Sequence, residues 1–174
     1  GEVYGLKIAD IDFQMRVLHI NRQVTYKQVF TDKVKSYVEP IEKAPKCDSY
    51  RSIHIPDFIM EEIMKRKGRI DTVDKLRSNY EDNDYLCGQR NGKARAGSCL
   101  NIALDKIMKK LGMPKMAFHH LRHVAATVML ENGTELTTIA KILGNSSVET
   151  TYKIYCDVMT AWNQITKTMD ELLT

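Results

Sequence analysis

Residues 118–131 read FHHLRHVAATVMLE, and this stretch decides how the rest of the chain is interpreted. It predicts a helix that ends at Asn132-Gly133, because glycine readily adopts the backbone conformation that closes a helix. At about 100° per residue, His119, Arg122 and His123 share one face of this helix. The opposite face carries the apolar residues Leu121, Val124, Ala125 and Val128. The stretch therefore predicts one buried side and one cationic, titratable side.

Three interpretations of the cationic side compete. The first makes the histidines satisfied polar groups at the rim of the core. The second is a zinc site, since His119 and His123 are spaced four residues apart, but the glutamate of a metalloprotease helix and a further ligand are missing. The third is an anion site, in which Arg122 grips a phosphate with two hydrogen bonds and His119 donates or accepts a proton.

The downstream sequence favours the anion site. Residues 143–158 read LGNSSVETTYKIYCDV and follow the His/Arg helix after a short interval. Together with His119-His120-Leu121-Arg122-His123, this segment closely resembles the C-terminal catalytic half of the tyrosine recombinases, the family of phage and transposon integrases. The nucleophile position of that family falls on Tyr155. Tyr152 is a competing candidate, but the spacing from the preceding threonine pair favours Tyr155.

The resemblance extends towards the N-terminus. Residues 1–13 look like the segment just after the family's first catalytic arginine, and residues 44–56 look like its β-turn motif, in which Lys46 takes the place of the catalytic lysine. The resemblance implies that 1–174 is a single catalytic domain, a fragment that starts just after the first arginine and lacks the family's N-terminal DNA-binding domains. Asn145 departs from the family, which usually has His, or sometimes Trp, at this turn position.

The family's chemistry implies a role for each matched residue. Tyr155 attacks a DNA phosphodiester and forms a 3′-phosphotyrosyl intermediate, which keeps the bond energy for religation. Arg122 clamps the phosphate, and His119 bonds the phosphate or handles the tyrosine proton. Lys46 protonates the leaving 5′ oxygen, and the amide of Asn145 donates to the phosphate. No metal, nucleotide or other cofactor is then required.

The order of patterns predicts an α+β fold, with a small three-stranded antiparallel sheet near the N-terminus and a mainly helical remainder. The three strands are expected at 17–26, 37–42 and 51–55, with Pro40 favouring an edge position for the second. Helices are expected at 57–66, 70–80, 98–111, 118–131, 135–143, 147–155 and 158–173.

The composition agrees with a globular protein that binds DNA. The chain has 174 residues, 43% of them hydrophobic and 28% charged, with a net charge of +4 that permits a polyanionic partner. No apolar run approaches the length of about 20 residues that spans a bilayer. The four cysteines are far apart, so we expect a reducing cytosol. The family resemblance implies the cytoplasm of a bacterial host cell, with the protein at the nucleoid when it is bound to DNA. Further phosphate contacts are expected from basic and histidine side chains at Arg90, Lys93, Arg95 and His123.

The principal hypothesis is a site-specific DNA recombinase that integrates or excises a phage or mobile element. Its expected partners are double-stranded DNA attachment sites and, in the intact protein, three further copies in a tetramer on DNA, with no membrane involved. The alternative from another class is a DNA-binding recombinase remnant or regulator without cleavage activity. An enzymatic alternative is a nicking and relaxing activity like that of the type IB topoisomerases.

Overall fold

The computed structural model describes residues 1–30, 36–95, 97–153 and 156. The chain forms two compact units, Gly1–Leu100 and Asn101–Thr174. The α+β class predicted from the sequence is confirmed, with antiparallel sheets in the first unit and helices in the second. Among the described residues, no helix has the length and apolar character needed to cross a bilayer. That residues 1–174 act as a single catalytic domain stays a prediction.

The first unit begins with a short helix, α1 (Glu2–Gly5), and its strands form two antiparallel sheets. The strands are β1 (Ile11–Asp12), β2 (Val17–Ile20), β3 (Gln23–Phe30), β4 (Ser36–Lys43) and β5 (Arg51–His54). One sheet has the order β1-β2-β5, and the other pairs β3 with β4. The predicted three-stranded antiparallel sheet is therefore present, although its members differ from those expected.

The predicted strand 17–26 is in fact two strands, divided at Asn21 and Arg22. The side chain of Asn21 donates to Asp10 Oδ1 at 3.0 Å, and Arg22 forms an ion pair with Asp10 Oδ2. Because both side chains are drawn to one carboxylate, the chain leaves the first sheet here. β2 remains beside β5, whereas β3 forms a separate ribbon with β4. Pro40 lies opposite Tyr26 in this ribbon.

Asp10 connects the first sheet to the ribbon. It is 4% exposed, and its Oδ2 accepts a hydrogen bond from Lys7 N at 2.9 Å. Its partner Arg22 also reaches Glu42 of β4, with 3.7 Å between Nε and Oε2. Glu42 in turn accepts from Tyr85 Oη at 2.6 Å. The sequence pattern gave no sign that Asp10 is the buried centre of an ionic network.

An apolar core lies between the three-stranded sheet and helix α2 (Asp57–Arg69). The buried members of this core are Ile11, Ile55, Met60 and Leu86. Each such side chain contributes about 1.5–3 kcal/mol relative to full exposure. The predicted helix 57–66 is thus confirmed and extends three residues further. Its position next to β5 follows from the short connection through Pro56.

The prediction of a helix at 70–80 is wrong. A π-helical turn covers Ile70–Asp74, and the following residues form turns. Asp74 is 1% exposed and accepts a hydrogen bond from Arg66 Nη1 at 3.1 Å. The segment is therefore held by a buried ion pair, which the weak apolar pattern of the sequence did not reveal.

The helices of the second unit match the sequence-based expectations closely. The chain enters this unit within α3 (Cys99–Lys110) and continues through α4 (Phe118–Glu131) and α5 (Leu136–Leu143). Gly112 and Gly133, with φ of 67° and 80°, follow the ends of α3 and α4 in the left-handed conformation. Residues 148–153 are helical, within the predicted 147–155. The predicted helix 158–173 lies outside the described residues.

The face of α4 predicted to be buried is exposed. This correction applies to all four of its apolar members, Leu121, Val124, Ala125 and Val128. The buried residues of α4 are instead Ala126 and Thr127, and α5 contributes the buried Ile139 and Ala140. Small side chains let the two helices approach closely. Helical periodicity predicted which residues share a face, but it could not predict which face packs against another helix.

We predict that Asp10→Ala lowers the free energy of unfolding by about 3 kcal/mol, because it leaves the half-buried Arg22 without its main partner. Urea titration followed by circular dichroism measures the loss. The matched control is Glu62→Ala, whose ion pair with Lys65 is exposed to solvent, with side-chain exposures of 68% and 67%. We expect a much smaller change there, because solvent screens an exposed ion pair. Equal losses in the two variants would contradict the role of Asp10.

The same network predicts acid sensitivity. Burial alone would raise the pKa of Asp10, but the bonds from Lys7, Asn21 and Arg22 outweigh burial and lower this pKa. The pKa of Glu42 is lowered in the same way, since the bonds from Lys7 and Tyr85 outweigh its burial. A lowered carboxyl pKa contributes stability that is complete above the unfolded-state value, about 4, and is lost as the pH falls through the lower folded-state value.

We therefore expect the free energy of unfolding to fall between about pH 5 and pH 3. Urea titrations at a series of pH values measure this slope. The slope should be shallower in Asp10→Asn and in Glu42→Gln, because each substitution removes one of the linked protonation events. Parallel curves for wild type and both variants would contradict the prediction.

Candidate active site

The central cation of the candidate site is Arg122, in the second turn of α4. Phe118, the first residue of this helix, donates its backbone N–H to the side chain of Asn101 at 2.9 Å. An asparagine side chain is a common partner for the unsatisfied N–H groups of a helix start. A residue of α3 thus fixes the start of α4, and with it the position of Arg122 along the helix axis.

The guanidinium of Arg122 is held at the C-terminal end of α5. Its Nη2 donates to the backbone oxygen of Leu143 and, at 2.6 Å, to Oδ1 of Asn145. The residue is half-buried. These two acceptors fix the direction of the guanidinium.

Asn145 owes its position to the turn that closes α5. Gly144 has φ of 69° and ψ of 36°, in the left-handed region that glycine enters without strain. The N–H of Gly144 donates to Lys141 O at 3.1 Å, and the N–H of Asn145 donates to Ala140 O at 2.9 Å. These two bonds form a Schellman motif. The turn directs the Asn145 side chain towards Arg122.

The amide of Asn145 has a partner at each end. Its Oδ1 accepts from Arg122, and its Nδ2 donates to Thr151 Oγ1 at 2.9 Å. Thr151 is 1% exposed. Sequence analysis used this threonine to locate the nucleophile and missed it as a member of the site. A hydroxyl residue six positions after the unusual Asn145 is the sequence signal that could have identified it.

Two histidines of α4 lie beside each other. The ring centroids of His119 and His123 are 5.1 Å apart, with the planes nearly perpendicular. His119 is exposed, whereas His123 is half-buried. Both lie on the helix face that carries Arg122, as predicted. The exposed imidazole of His119 is accessible to a substrate.

Lys46 belongs to the first unit. It begins a 3-10 turn, Lys46–Asp48, between β4 and β5, and its side chain is exposed. Cys47 and Asp48 have φ of 57° and 50°, so the turn uses two non-glycine residues in the left-handed region.

The backbone on both sides of the Lys46 turn is anchored. Arg51, at the start of β5, makes a two-pronged ion pair with Glu2, at 3.0 and 2.7 Å. Gln23 donates to Ala44 O at 2.9 Å on the other side. Paired arginine–carboxylate bonds of this kind add geometric specificity. The lysine therefore extends from a fixed turn on a flexible side chain.

The expected DNA-contacting residues differ in their surroundings. Arg90 is exposed, and Lys93 forms an ion pair with Glu81 at 2.8 Å. Arg95 is half-buried and donates to Gly88 O at 3.1 Å. Arg95 is thus part of the loop's own structure, while Arg90 has the more open side chain. Their contacts with DNA stay a prediction.

The predicted nucleophile, Tyr155, lies outside the described residues. Its competitor Tyr152 is on the helical segment 148–153 and is 55% exposed. Within the described part of the chain, no three His, Cys, Asp or Glu side chains are grouped so that they could hold a metal ion.

Comparison with known proteins shows the family. The model of the phage integrase family matches residues 1–161. The chain is 30% identical over 165 residues to a tyrosine recombinase XerC-like protein of Caldanaerobacter subterraneus subsp. tengcongensis, which covers 91% of this chain and 42% of that protein. It is 24% identical over 159 residues to the integrase of Staphylococcus phage L54a, over 91% of this chain and 44% of that protein.

Solved structures share the fold. The crystal structure of XerA recombinase superposes with a TM-score of 0.65 at 24% identity, over 94% of this chain and 52% of that one. The Tn1549 transposon integrase, in complex with a circular intermediate DNA, gives a TM-score of 0.64 at 21% identity, over 88% of this chain and 48% of that one. The chain spans about two-fifths of the length of the curated relatives it matches.

The resemblance found in the sequence motifs is thereby confirmed from two sides, by the family model over nearly the whole length and by the shared fold. The residues that carried the resemblance, from Lys46 to Tyr155, fall within the matched range of 1–161. This chain is a member of the phage integrase family.

Proposed function

We propose that this chain is the catalytic domain of a site-specific DNA recombinase. It cleaves and rejoins DNA strands through a 3′-phosphotyrosyl intermediate, as a tetramer on double-stranded attachment sites, to integrate or excise a phage or mobile element. The observation that carries the proposal is the arrangement of Arg122, oriented by Leu143 O and Asn145, on a helix that also presents His119. Family membership supports the same chemistry.

The proposed reaction needs fixed positive charge. When a nucleophile attacks a phosphodiester, negative charge grows on the nonbridging oxygens. A preoriented guanidinium stabilises this charge more in the transition state than in the ground state. The two bonds that orient Arg122 in the absence of DNA support this role. The guanidinium therefore needs little reorganisation during the reaction.

Tyr155 is the proposed nucleophile. Its phenolic oxygen forms a bond to phosphorus while the bond from phosphorus to the 5′ oxygen breaks. A tyrosine has an ordinary pKa near 10, so its proton must leave during attack at neutral pH. His119 is the proposed group that bonds the phosphate or receives this proton, since an imidazole titrates near neutrality.

Lys46 is the proposed general acid. The leaving 5′ oxygen is a poor leaving group as an alkoxide, and an ammonium on a flexible side chain can supply the proton it needs. The exposed lysine on an anchored turn supports this role. Asn145 carries two N–H groups on Nδ2, so one can donate to Thr151 and the other to the phosphate.

DNA binding is proposed to depend largely on the phosphate backbone. Arg90, Lys93, Arg95 and His123 are the proposed contacts, and such contacts weaken as the salt concentration rises. The Tn1549 integrase was solved with DNA, and its fold is shared by this chain. This likeness supports DNA as the partner.

The first test of the proposed function is Tyr155→Phe in the full-length protein. A suicide substrate with a nick near the cleavage site traps the covalent intermediate, which gel electrophoresis detects. We expect no adduct from Tyr155→Phe, because the variant lacks the attacking oxygen. Tyr152→Phe is the matched control and should form adduct normally. Adduct persisting in Tyr155→Phe would rule out this nucleophile.

The role of Lys46 predicts a chemical rescue. Lys46→Ala should slow cleavage of ordinary DNA by about 10²–10⁴-fold, the usual size of a general-acid contribution. Replacing the leaving 5′ oxygen with sulfur should restore cleavage to near the wild-type rate, because a thiolate leaves without a proton. Single-turnover rates on the two substrates measure the effect. Lys43→Ala, at the exposed last residue of β4, is the control and should cleave both at the wild-type rate. An equal defect on both substrates would contradict the role.

A further inference from the structure

Thr151 is a buried hydroxyl that the proposed reaction does not use. It is 1% exposed, and its Oγ1 accepts a hydrogen bond from Asn145 Nδ2 at 2.9 Å. The oxygen end of the same amide accepts from Arg122 Nη2 at 2.6 Å. A continuous series of hydrogen bonds thus runs from Thr151 through Asn145 to Arg122.

The chemistry of the three side chains decides which group donates and which accepts in each of these bonds. A guanidinium has donors and no acceptor, so the end of the Asn145 amide that faces Arg122 must be oxygen. The nitrogen end then faces Thr151, whose hydroxyl can accept. The two ends of an amide are nearly equal in shape, so packing alone does not choose between them. Without the Thr151 oxygen, Nδ2 of the half-buried Asn145 would lose its acceptor. The amide orientation that serves Arg122 would then lose half of its support.

We propose that Thr151 is a positioning residue, which orients the Asn145 amide and through it the Arg122 guanidinium that clamps the phosphate. The inference rests on the proposed function and adds to it a residue that touches neither substrate nor reacting atoms. The network includes Asn145, at the turn position where the family usually has His. It also links the clamp to the segment of the nucleophile, since Thr151 precedes Tyr155 by four residues.

The test compares variants of the full-length protein that change one atom group at position 151. Thr151→Val keeps the shape and removes the hydroxyl, whereas Thr151→Ser keeps the hydroxyl. We expect single-turnover cleavage of the nicked substrate to slow about tenfold in Thr151→Val and to stay within about twofold of wild type in Thr151→Ser. DNA affinity and the melting temperature should change little in both. The exposed neighbour offers a matched control, Thr150→Val, which should cleave at the wild-type rate.

A double-mutant cycle shows whether Thr151 acts through Asn145. In an Asn145→Ala background, Thr151→Val should slow cleavage by less than twofold further, because the amide that it orients is gone. The proposal is overturned if Thr151→Val cleaves at the wild-type rate, if Thr151→Ser is as slow as Thr151→Val, or if the two defects multiply in the double variant.

A measurement without DNA separates this inference from the proposed function. The guanidinium protons of Arg122 should exchange with solvent about tenfold faster in Thr151→Val than in wild type, as seen by NMR. Those of Arg66, which donates to Asp74, should be unchanged. Unchanged exchange at Arg122 would overturn the inference whatever the activity. Failure of the wild-type protein to form adduct, with faster exchange in the variant, would overturn the proposed function and leave the positioning network intact.

Discussion

The hydrogen bonds from the Arg122 guanidinium to the end of α5 are the interaction on which the candidate site depends. The carbonyl of Leu143 and the amide oxygen of Asn145 are positioned by the fold, and together they give the guanidinium its direction. This arrangement requires the turn at Gly144, and the turn requires a residue that tolerates a positive φ.

Ion pairs connect the parts of the first unit. The carboxylates of Asp10 and Glu42 are paired with Arg22 and Lys7, and this network joins the three-stranded sheet to the ribbon. Such a network does no chemistry of its own, but it sets where the strands leave the sheet. Lys46, on the connection between β4 and β5, is anchored separately, by the ion pair of Arg51 with Glu2 and by the bond from Gln23 to Ala44. Paired charges thus build much of the structure of this unit.

Several features could be predicted from the sequence, because each depends on residues close together in the chain. The ends of α3 and α4 at Gly112 and Gly133 follow from local backbone preference. The common face of His119, Arg122 and His123 follows from helical periodicity. The exposed apolar face of α4 and the division of residues 17–26 into two strands could not be predicted. Both depend on contacts that form only when the chain folds back on itself, the close approach of α5 in one case and the Asp10 carboxylate in the other.

The sequence by itself determined the family and the identity and order of the chemical groups, since motif spacing survives in the linear chain. It also named Asn145 as a departure from the family pattern. The tertiary structure decided what that asparagine does, because an amide acts through whichever groups face its two ends. Arg122 and Thr151 are 23 and six residues away from it, and folding alone brings them to opposite ends of the same side chain.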